Sequence, residues 1–544
     1  MTDDFFRSRL DGMIDPRHPL AVLGDKLPWH KLEASIAPIF AHQAKPVETD
    51  TGFDSGGEFV KSKGGDVSNK GRPRLSFRLM IALTMLKNSF NCSDEDLVQR
   101  FADSVTWQYF AGYEYFDSRL PCDATQVGRF RTALGEAGLE EILSATIKAA
   151  LDIGAVKKSE FERLIVDTTV QEKAIAHPID SRLLDIARRK VVQAAKRAGI
   201  ELKQTFDREC KELRRSAGGY AHAKQFKRLR RTIKRQKTIL GILLREVQRK
   251  LPLAKNQGKE LETLQMWLER ATRIHTQKRK DKDKLYALHA PEVECIGKGK
   301  ARKPFEFGVK AGIAVTHKQG LIVGARSFPG NPWDGHTLSE QIEQASVLLE
   351  AVNVKPKQVV VDLGYRGKDV DAALPNIEII HRGKIKTMTQ TQRKWLRRRQ
   401  AVEPAIGHLK ADHRMDRNWL KGSTGDALHT LCCAVGYNIK WLMRAIARLG
   451  LRGLLLGLDL LMQLRELERN ISKQIKFQFE NRNLNTQVLL KFIKMNFAGS
   501  TNYFSELLPN YDVYQLVPNG WIKRDSKDPF SNIYLFSNFV FVMR

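Results

Sequence analysis

The spacing of apolar residues divides the chain into stretches of different secondary structure. Up to about residue 150, apolar residues recur at helical spacing, as in the stretch LSFRLMIALTMLKNSF, and Ser93 with Asp96 forms a capping signal for a following helix. Short runs typical of β-strands appear at 161–170 and repeatedly between 291 and 380. The pattern therefore predicts a helical N-terminal region followed by an α/β core with a mixed sheet.

A long helical stretch separates the first of these strands from the others. Residues 181–290 contain 31 Lys and Arg against 11 Asp and Glu, which is a net +20 of the chain's +30. Gly218 and Gly219 are expected to end one helix before the next begins. This charge density favours a basic arm lying along a phosphate backbone, and a solvated helical hairpin with a thin apolar seam is the plainer alternative. Candidate phosphate contacts in this arm are Arg228, Arg230 and Arg231.

These changes in character predict four regions. Residues 1–150 form a helical domain that binds DNA, and residues 181–290 form the basic helical insertion. The insertion interrupts an α/β core made of residues 151–180 and 291–450. The tail, residues 451–544, contains no recognisable motif and has no assigned role.

The composition indicates a soluble globular protein with a polyanionic partner. Of the 544 residues, 42% are hydrophobic and 28% are charged, which excludes a disordered chain. The net charge of +30 favours nucleic acid over an anionic membrane, because no run of about 20 apolar residues could span a bilayer. The N-terminus carries acids where a secretory signal would carry bases, and none of the six cysteines forms a CxxC pair. We therefore expect a reducing cytoplasm, no structural zinc and no disulfide framework.

Basic residues of the N-terminal region are candidates for contact with DNA. Arg72 and Arg74 lie in the turn before the first long helix, and Arg129 and Arg131 lie in a second basic segment. Two helices with a tight connection follow the first turn. This spacing fits a DNA-binding helix-turn-helix and a plain helical hairpin equally well.

Three acids occupy positions that suggest chemistry. Asp167 and Asp362 each end an apolar strand run, and Glu403 lies in a helical stretch with basic neighbours. Carboxylates that converge on rigid elements select Mg²⁺ or Mn²⁺. Two such ions, about 3.5–4 Å apart, would activate a nucleophile and stabilise the leaving oxygen of a phosphodiester. Each acid also has a structural alternative, since a strand-end Asp often forms a turn and Glu403 could be first-turn helix charge.

Ordered blocks of sequence resemble a known family. LIVDTTVQEKAIAHPIDSRLL, VVVDLGYRG and the spacing Arg399, Glu403, Lys410 are similar, in this order, to blocks of bacterial insertion-sequence transposases of the DDE type, in the group named after insertion sequence five. Leu396 stands where the family usually has Tyr. The block GNPWDGHTL is also similar, and Asp334 within it is expected to precede a helix whose capping box is Thr337 and Glu340.

The resemblance implies an RNase H-like catalytic core, into which the basic helices are inserted. It implies that Asp167, Asp362 and Glu403 hold the divalent metals, and that Arg399 and Lys410 hold phosphate oxygens beside them. The protein would then be a DNA transposase that binds double-stranded terminal inverted repeats, cuts there and joins the ends to target DNA. It would work as at least a dimer, in the cytoplasm and associated with the nucleoid when acting.

The tail raises an alternative. A catalytically inactive, DNA-binding remnant of such an element would keep these blocks and carry a foreign C-terminus. A nuclease of the same core acting on RNA ranks last.

Overall fold

A computed structural model describes most of the chain up to residue 450 and three strands beyond it. The described residues are 8–40, 75–256, 258–297, 299, 303–450, 511–517, 520–524 and 539–543. They belong to two compact units, Met1–Leu449 and Gly450–Arg544. No helix in this described part is both long enough and apolar enough to cross a lipid bilayer.

The N-terminal part of the first unit is helical, as the apolar spacing predicts. Ser93 and Asp96 form the predicted capping box at the start of one helix, since each side chain accepts from the other residue's backbone N–H. The helices are α1 (Leu10–Met13), α2 (Pro19–Lys26), α3 (Trp29–Ile36), α4 (Phe77–Ser89), α5 (Asp94–Asp103), α6 (Val105–Phe110) and α7 (Ala124–Asp152).

A mixed six-stranded sheet follows, which confirms the predicted α/β core. The strand order is β2-β3-β1-β5-β6, and β4 pairs with β3. β3 is antiparallel to β1, β2 and β4, whereas β1, β5 and β6 are parallel to one another. The strands are β1 (Arg163–Glu172), β2 (Glu294–Gly297), β3 (Phe305–Thr316), β4 (Ile322–Phe328), β5 (Gln358–Val360) and β6 (Glu378–Ile380).

Four helices interrupt the sheet between β1 and β2. They bury an apolar core of their own that includes Leu184, Val191, Leu240 and Leu264. This core is larger than the thin apolar seam of the plainer alternative, the solvated helical hairpin. The predicted helix break at Gly218 and Gly219 is wrong, because both glycines lie inside a helix that continues to His222. The helices are α8 (Asp180–Arg197), α9 (Asp207–His222), α10 (Phe226–Lys250) and α11 (Lys259–Thr276).

The remaining helices of the first unit cover the sheet. They are α12 (Asp334–Leu349), α13 (Lys368–Ala373), α14 (Gln390–Arg397), α15 (Val402–Asp412) and α16 (residues 422–450). α12 packs against β3 and β4, and α15 packs against β1. One hydrophobic cluster joins the N-terminal helices, the sheet and α16, so these parts share a single core.

The second unit contains a small antiparallel sheet. Its strand order is β8-β7-β9, and both neighbours are antiparallel to the central strand. The strands are β7 (Tyr511–Val517), β8 (Gly520–Arg524) and β9 (Phe539–Met543).

Two buried histidines make hydrogen bonds that connect the C-terminal end of α15 with α4 and α16. His413 Nδ1 donates to the carbonyl oxygen of Asn88 in α4 at 2.9 Å, and His429 Nε2 in α16 donates to the carbonyl oxygen of Arg414 at 2.9 Å. Burial lowers the pKa of His413 to about 4 and that of His429 to about 3. Both imidazoles therefore stay neutral in the folded protein well below pH 6.5.

We expect these histidines to make the fold sensitive to acid. Their pKa values are depressed in the folded state, so the unfolded chain takes up protons that the folded chain cannot as the pH falls through about 6.5. His429 alone should cost about 2 kcal/mol of stability between pH 7 and pH 5. In denaturant unfolding, the loss between these pH values should shrink in His429→Gln and remain in the exposed control His30→Gln. An equal loss in both variants would contradict the assignment.

Candidate active site

The pairing of β1 with β5 brings two of the predicted acids to the same level of the sheet. In this parallel pair Ile165 lies opposite Val360. Asp167 follows Ile165 by two residues within β1, and Asp362 follows Val360 by two residues just beyond the end of β5. Adjacent strands are about 4.8 Å apart, so the two acids lie at neighbouring positions. The expectation that Asp167 ends its strand is wrong, because β1 continues to pair with β3 as far as Glu172.

Each of these two carboxylates uses one oxygen locally. Asp167 Oδ1 accepts a hydrogen bond from the backbone N–H of Thr168 at 2.8 Å. Asp362 Oδ1 accepts from the N–H of Gly364 at 2.8 Å and caps the 3-10 turn Leu363–Tyr365. The alternative that a strand-end aspartate forms a turn therefore holds for one of the two carboxylate oxygens of Asp362. These bonds also fix the directions of both carboxylates.

Arg399 connects Asp167 with the third predicted acid. Its Nη1 lies 3.4 Å from Asp167 Oδ2, and its Nη2 lies 3.7 Å from Glu403 Oε1. Glu403 stands in the first turn of α15, whose packing against β1 brings it to this place. The side chain of Glu403 is 62% exposed, whereas that of Arg399 is mostly buried. The three residues therefore form a charge cluster at the surface of the sheet.

The segment before α15 is held rigidly against the sheet. The Arg163 guanidinium stacks on the ring of Trp395 at 3.3 Å. His317 Nε2 donates to the carbonyl oxygen of Trp395 at 3.0 Å, and Arg398 Nε donates to that of His317 at 2.9 Å. These contacts fix the 3-10 turn that carries Arg399.

The carboxylate of Asp334, a residue that was expected only to precede a helix, also joins the group. Thr168 Oγ1 and Lys310 Nζ each lie 2.9 Å from Asp334 Oδ1. A Cβ atom added to Gly364 would lie 2.9 Å from Asp362 Oδ1 and 3.2 Å from Asp334 Oδ2, so glycine leaves room for both carboxylates here. The predicted capping box at Thr337 is wrong, because α12 begins at Asp334.

Tyr365 is a buried residue that lies close to the acids of the site. Its side chain is buried, and its hydroxyl lies near Thr168 without a hydrogen bond of acceptable geometry. Burial raises the pKa of Tyr365 well above its usual value, and the charges of Asp167, Asp334 and Asp362 raise it further. The phenol thus remains protonated beside the acids.

The donor set suits a hard divalent cation. The candidate ligands Asp167, Asp362 and Glu403 offer carboxylate oxygens, which Mg²⁺ and Mn²⁺ prefer. Across the residues that the structure describes, however, no three His, Cys, Asp or Glu side chains are already grouped closely enough to hold one ion. Arg399 and Lys310 instead place positive charge against the acids. The carboxylate oxygens suit such a cation in their chemistry, and its binding to Asp167 would require Arg399 to move away.

Lys410 lies apart from the three acids. Its Nζ is 3.1 Å from Oε2 of Glu306, a buried residue of β3. It is seven residues beyond Glu403 on α15, which is about 10 Å along the helix axis. The structure thus places Arg399 at the acid cluster and Lys410 about two turns away.

The N-terminal arginines fall into three different situations. Arg72 and Arg74 lie outside the described residues. Arg129 is exposed on α7. Arg131 is buried, with Nη2 3.3 Å from Asp94 Oδ2, so it is not available to bind phosphate in this conformation.

The arginines of the insertion lie on its surface. Arg228, Arg230 and Arg231 are exposed near the start of α10. Arg228 donates to Gln225 Oε1 at 3.1 Å, and Arg230 donates to the carbonyl oxygen of Phe226 at 3.3 Å. Neither contact neutralises the positive charge.

Comparison with known proteins agrees with the site's chemistry. Residues 57–133 match a transposase domain, DUF772, and residues 271–439 match a transposase DDE domain. A protein of Rhizobium meliloti described as "Uncharacterized protein ORF8 in nfe locus" is 38% identical over 224 residues, which cover 41% of this chain and 95% of that protein. No solved structure gives a significant match.

The matched domains define a DNA transposase, a polynucleotidyl transferase whose DDE domain implies an RNase H-like fold and the use of divalent metals. The chain belongs to the insertion-sequence transposases with a DDE domain. Asp334, Asp362 and Glu403 lie inside the second matched range. Asp167 lies between the two ranges, and only the register of β1 with β5 brings it to the other acids.

We expect the two neighbouring arginines of α7 to differ sharply in their effect on stability. Arg131→Ala leaves half-buried Asp94 with Lys87 as its remaining partner and should cost about 3 kcal/mol. Arg129→Ala, the matched exposed control, should change stability by less than about 0.5 kcal/mol. Denaturant unfolding measures both. A stable Arg131→Ala variant with weakened DNA binding would contradict the structural role.

Proposed function

We propose that this transposase binds the ends of its insertion sequence and catalyses metal-dependent cleavage and strand transfer. The observation that best supports the proposal is the parallel register that sets Asp167 level with Asp362, with Glu403 joined to Asp167 through Arg399. Asp167, Asp362 and Glu403 are proposed to hold the metals. The chain is proposed to belong to the group named after insertion sequence five.

The proposed reaction consists of two substitutions at phosphorus. Water attacks the phosphodiester at an element end, and the P–O3′ bond breaks to leave a 3′-hydroxyl and a 5′-phosphate. That 3′-hydroxyl then attacks target DNA, forms a new phosphodiester and releases a target 3′-hydroxyl. When bound, Mg²⁺ or Mn²⁺ would activate the attacking oxygen and stabilise the leaving one.

Other groups of the site are proposed to orient the carboxylates and to contact the DNA backbone. The local hydrogen bonds from Thr168 and Gly364 hold Asp167 and Asp362 in fixed directions. Arg399 neutralises Asp167 and Glu403 in the described structure, and its guanidinium is proposed to transfer to a phosphate oxygen of the DNA. Lys410, about two helical turns beyond Glu403 on α15, would contact the DNA backbone.

The insertion is proposed to clamp the DNA backbone. Its net charge of +20 over residues 181–290 and the exposed Arg228, Arg230 and Arg231 support this role. Because phosphate contacts carry no sequence information, the clamp would add affinity and leave recognition of the ends to other residues. Its separate hydrophobic core allows it to act as a rigid arm.

The N-terminal region, residues 1–150, is proposed to bind the ends, with Arg129 and the undescribed Arg72 and Arg74 among its contacts. The core is proposed to comprise 151–180 and 291–450, as expected from the sequence.

Pairing two ends requires two active sites, so a homodimer on double-stranded DNA is proposed. The proposed place of action is the cytoplasm, at the nucleoid.

A catalytically inactive DNA-binding remnant is the alternative. The observation that favours it is the second unit, Gly450–Arg544, which lies beyond the range that matches the DDE domain. The remnant would bind the same DNA without cutting it. An assay of DNA cleavage separates the two functions.

We expect loss of any one proposed metal ligand to abolish cleavage. The assay uses the full chain, Mg²⁺ or Mn²⁺, and DNA that carries the coding region with its natural flanks. Asp167→Asn, Asp362→Asn and Glu403→Gln should each reduce strand cleavage and joining by at least about a thousandfold, because charge stabilisation at phosphorus is lost. Binding of the same DNA should change by less than about threefold, since these residues carry no positive charge.

The control is Asp371→Asn, which removes an exposed carboxylate that pairs with Lys384. It should cut as the parent does. Cleavage that persists in Asp167→Asn would refute the assignment of the metal ligands. A parent protein that binds this DNA but never cuts it would favour the remnant.

We also expect the insertion to dominate the salt dependence of DNA binding. Binding to DNA weakens as the salt concentration rises, so the association constant K falls along a plot of log K against log salt concentration. Replacing Arg228, Arg230 and Arg231 by Ala should make this slope less steep by up to about 3, because up to three phosphate contacts are lost. The matched control replaces three exposed lysines near the opposite ends of β1 and β5 (Lys157, Lys158 and Lys355), and should leave the slope unchanged. Equal slopes for both triple variants would refute the clamp.

A further inference from the structure

Asp334 is connected to Asp167 by a short chain of hydrogen bonds. Asp334 Oδ1 accepts from Thr168 Oγ1 at 2.9 Å. The backbone N–H of the same threonine donates to Asp167 Oδ1 at 2.8 Å. Thr168 therefore donates one hydrogen bond to Asp334 through its hydroxyl and one to the carboxylate of Asp167 through its backbone N–H.

Asp334 is itself fixed at three points. It is the first residue of the 16-residue helix α12. Lys310 Nζ donates to Asp334 Oδ1 at 2.9 Å and to the carbonyl oxygen of Pro332 at 2.6 Å. Thr337 Oγ1 donates to the carbonyl oxygen of Asp334 at 2.7 Å. Lys310 is 9% exposed, so its charge has little access to water and strengthens its bond to Asp334.

The remaining oxygen of Asp334 faces the neighbouring acid. Asp334 Oδ2 and Asp362 Oδ1 both lie within 3.2 Å of the position that a Cβ atom on Gly364 would occupy. Asp334 thus bonds to Thr168 in β1 and lies beside Asp362, which follows the end of β5.

We propose that Asp334 is a positioning residue, which orients Asp167 through Thr168 for metal binding. This inference rests on the proposed function, because it assumes that Asp167 binds the metal. Groups that orient a metal ligand through a hydrogen bond typically change metal affinity by about tenfold to a hundredfold. Asp334 acts as a hydrogen-bond acceptor in this role, and its own contact with the metal is not required.

The test measures Mn²⁺ binding to the full chain by the electron paramagnetic resonance signal of the free ion, without DNA. Asp334→Ala removes the acceptor and should weaken binding about tenfold to a hundredfold. Asp334→Asn retains an oxygen that can accept from Thr168 and should bind within about threefold of the parent. Thr168→Val should match Asp334→Ala, Thr168→Ser should match the parent, and the double variant Asp334→Ala/Thr168→Val should be no worse than either single variant.

Asp371→Asn is the control for loss of a nearby carboxylate, and thermal unfolding of each variant monitors the fold. A direct ligand role would weaken Asp334→Asn as much as Asp334→Ala and leave Thr168→Val unaffected, which would overturn the proposal. Mn²⁺ affinities that stay unchanged in Asp334→Ala, with or without a loss of stability, would also overturn it. If Asp167→Asn itself binds Mn²⁺ as the parent does, the metal site of the proposed function fails, and this inference fails with it.

Discussion

The parallel pairing of β1 with β5 is the constraint on which the rest of the site depends. These strands are separated by 185 residues between Glu172 and Gln358, including the whole basic insertion, yet their register sets Asp167 level with Asp362. β1 is also paired with β3 on its other side, so it cannot shift without breaking two ladders and moving its buried face. The positions of α12 and α15 against this sheet then bring Asp334 and Glu403 to the same place.

Clustering acids in this way is unfavourable unless nearby cations offset their repulsion. Arg399 lies between Asp167 and Glu403, and Lys310 lies against Asp334, so each cation touches an acid from a different element. In the proposed function, a metal ion held by Asp167 would displace Arg399, whose guanidinium is suited to hold a phosphate oxygen.

Much of the secondary structure followed from local sequence, whereas several boundaries did not. The helical N-terminus, the Ser93 capping box and the mixed α/β core were all predicted. Asp167 was placed at a strand end because its apolar run stops there, but pairing with β3 extends the strand to Glu172. Arg131 looked like a DNA contact, yet its position on α7 directs it toward half-buried Asp94. Gly218 and Gly219 remained helical because α10 packs against that helix.

The sequence by itself determined the class of the protein. Its concentrated positive charge indicated a nucleic-acid partner, its acids after apolar runs suggested divalent-metal chemistry, and its ordered blocks resembled DNA transposases of the DDE type. Those signals are local, since each depends on residues a few positions apart. Only the tertiary structure decided which side chains meet. Asp334 joined the acids through Thr168, while Lys410 was directed to Glu306, because strand register and helix packing fix distances between residues that are far apart in the chain.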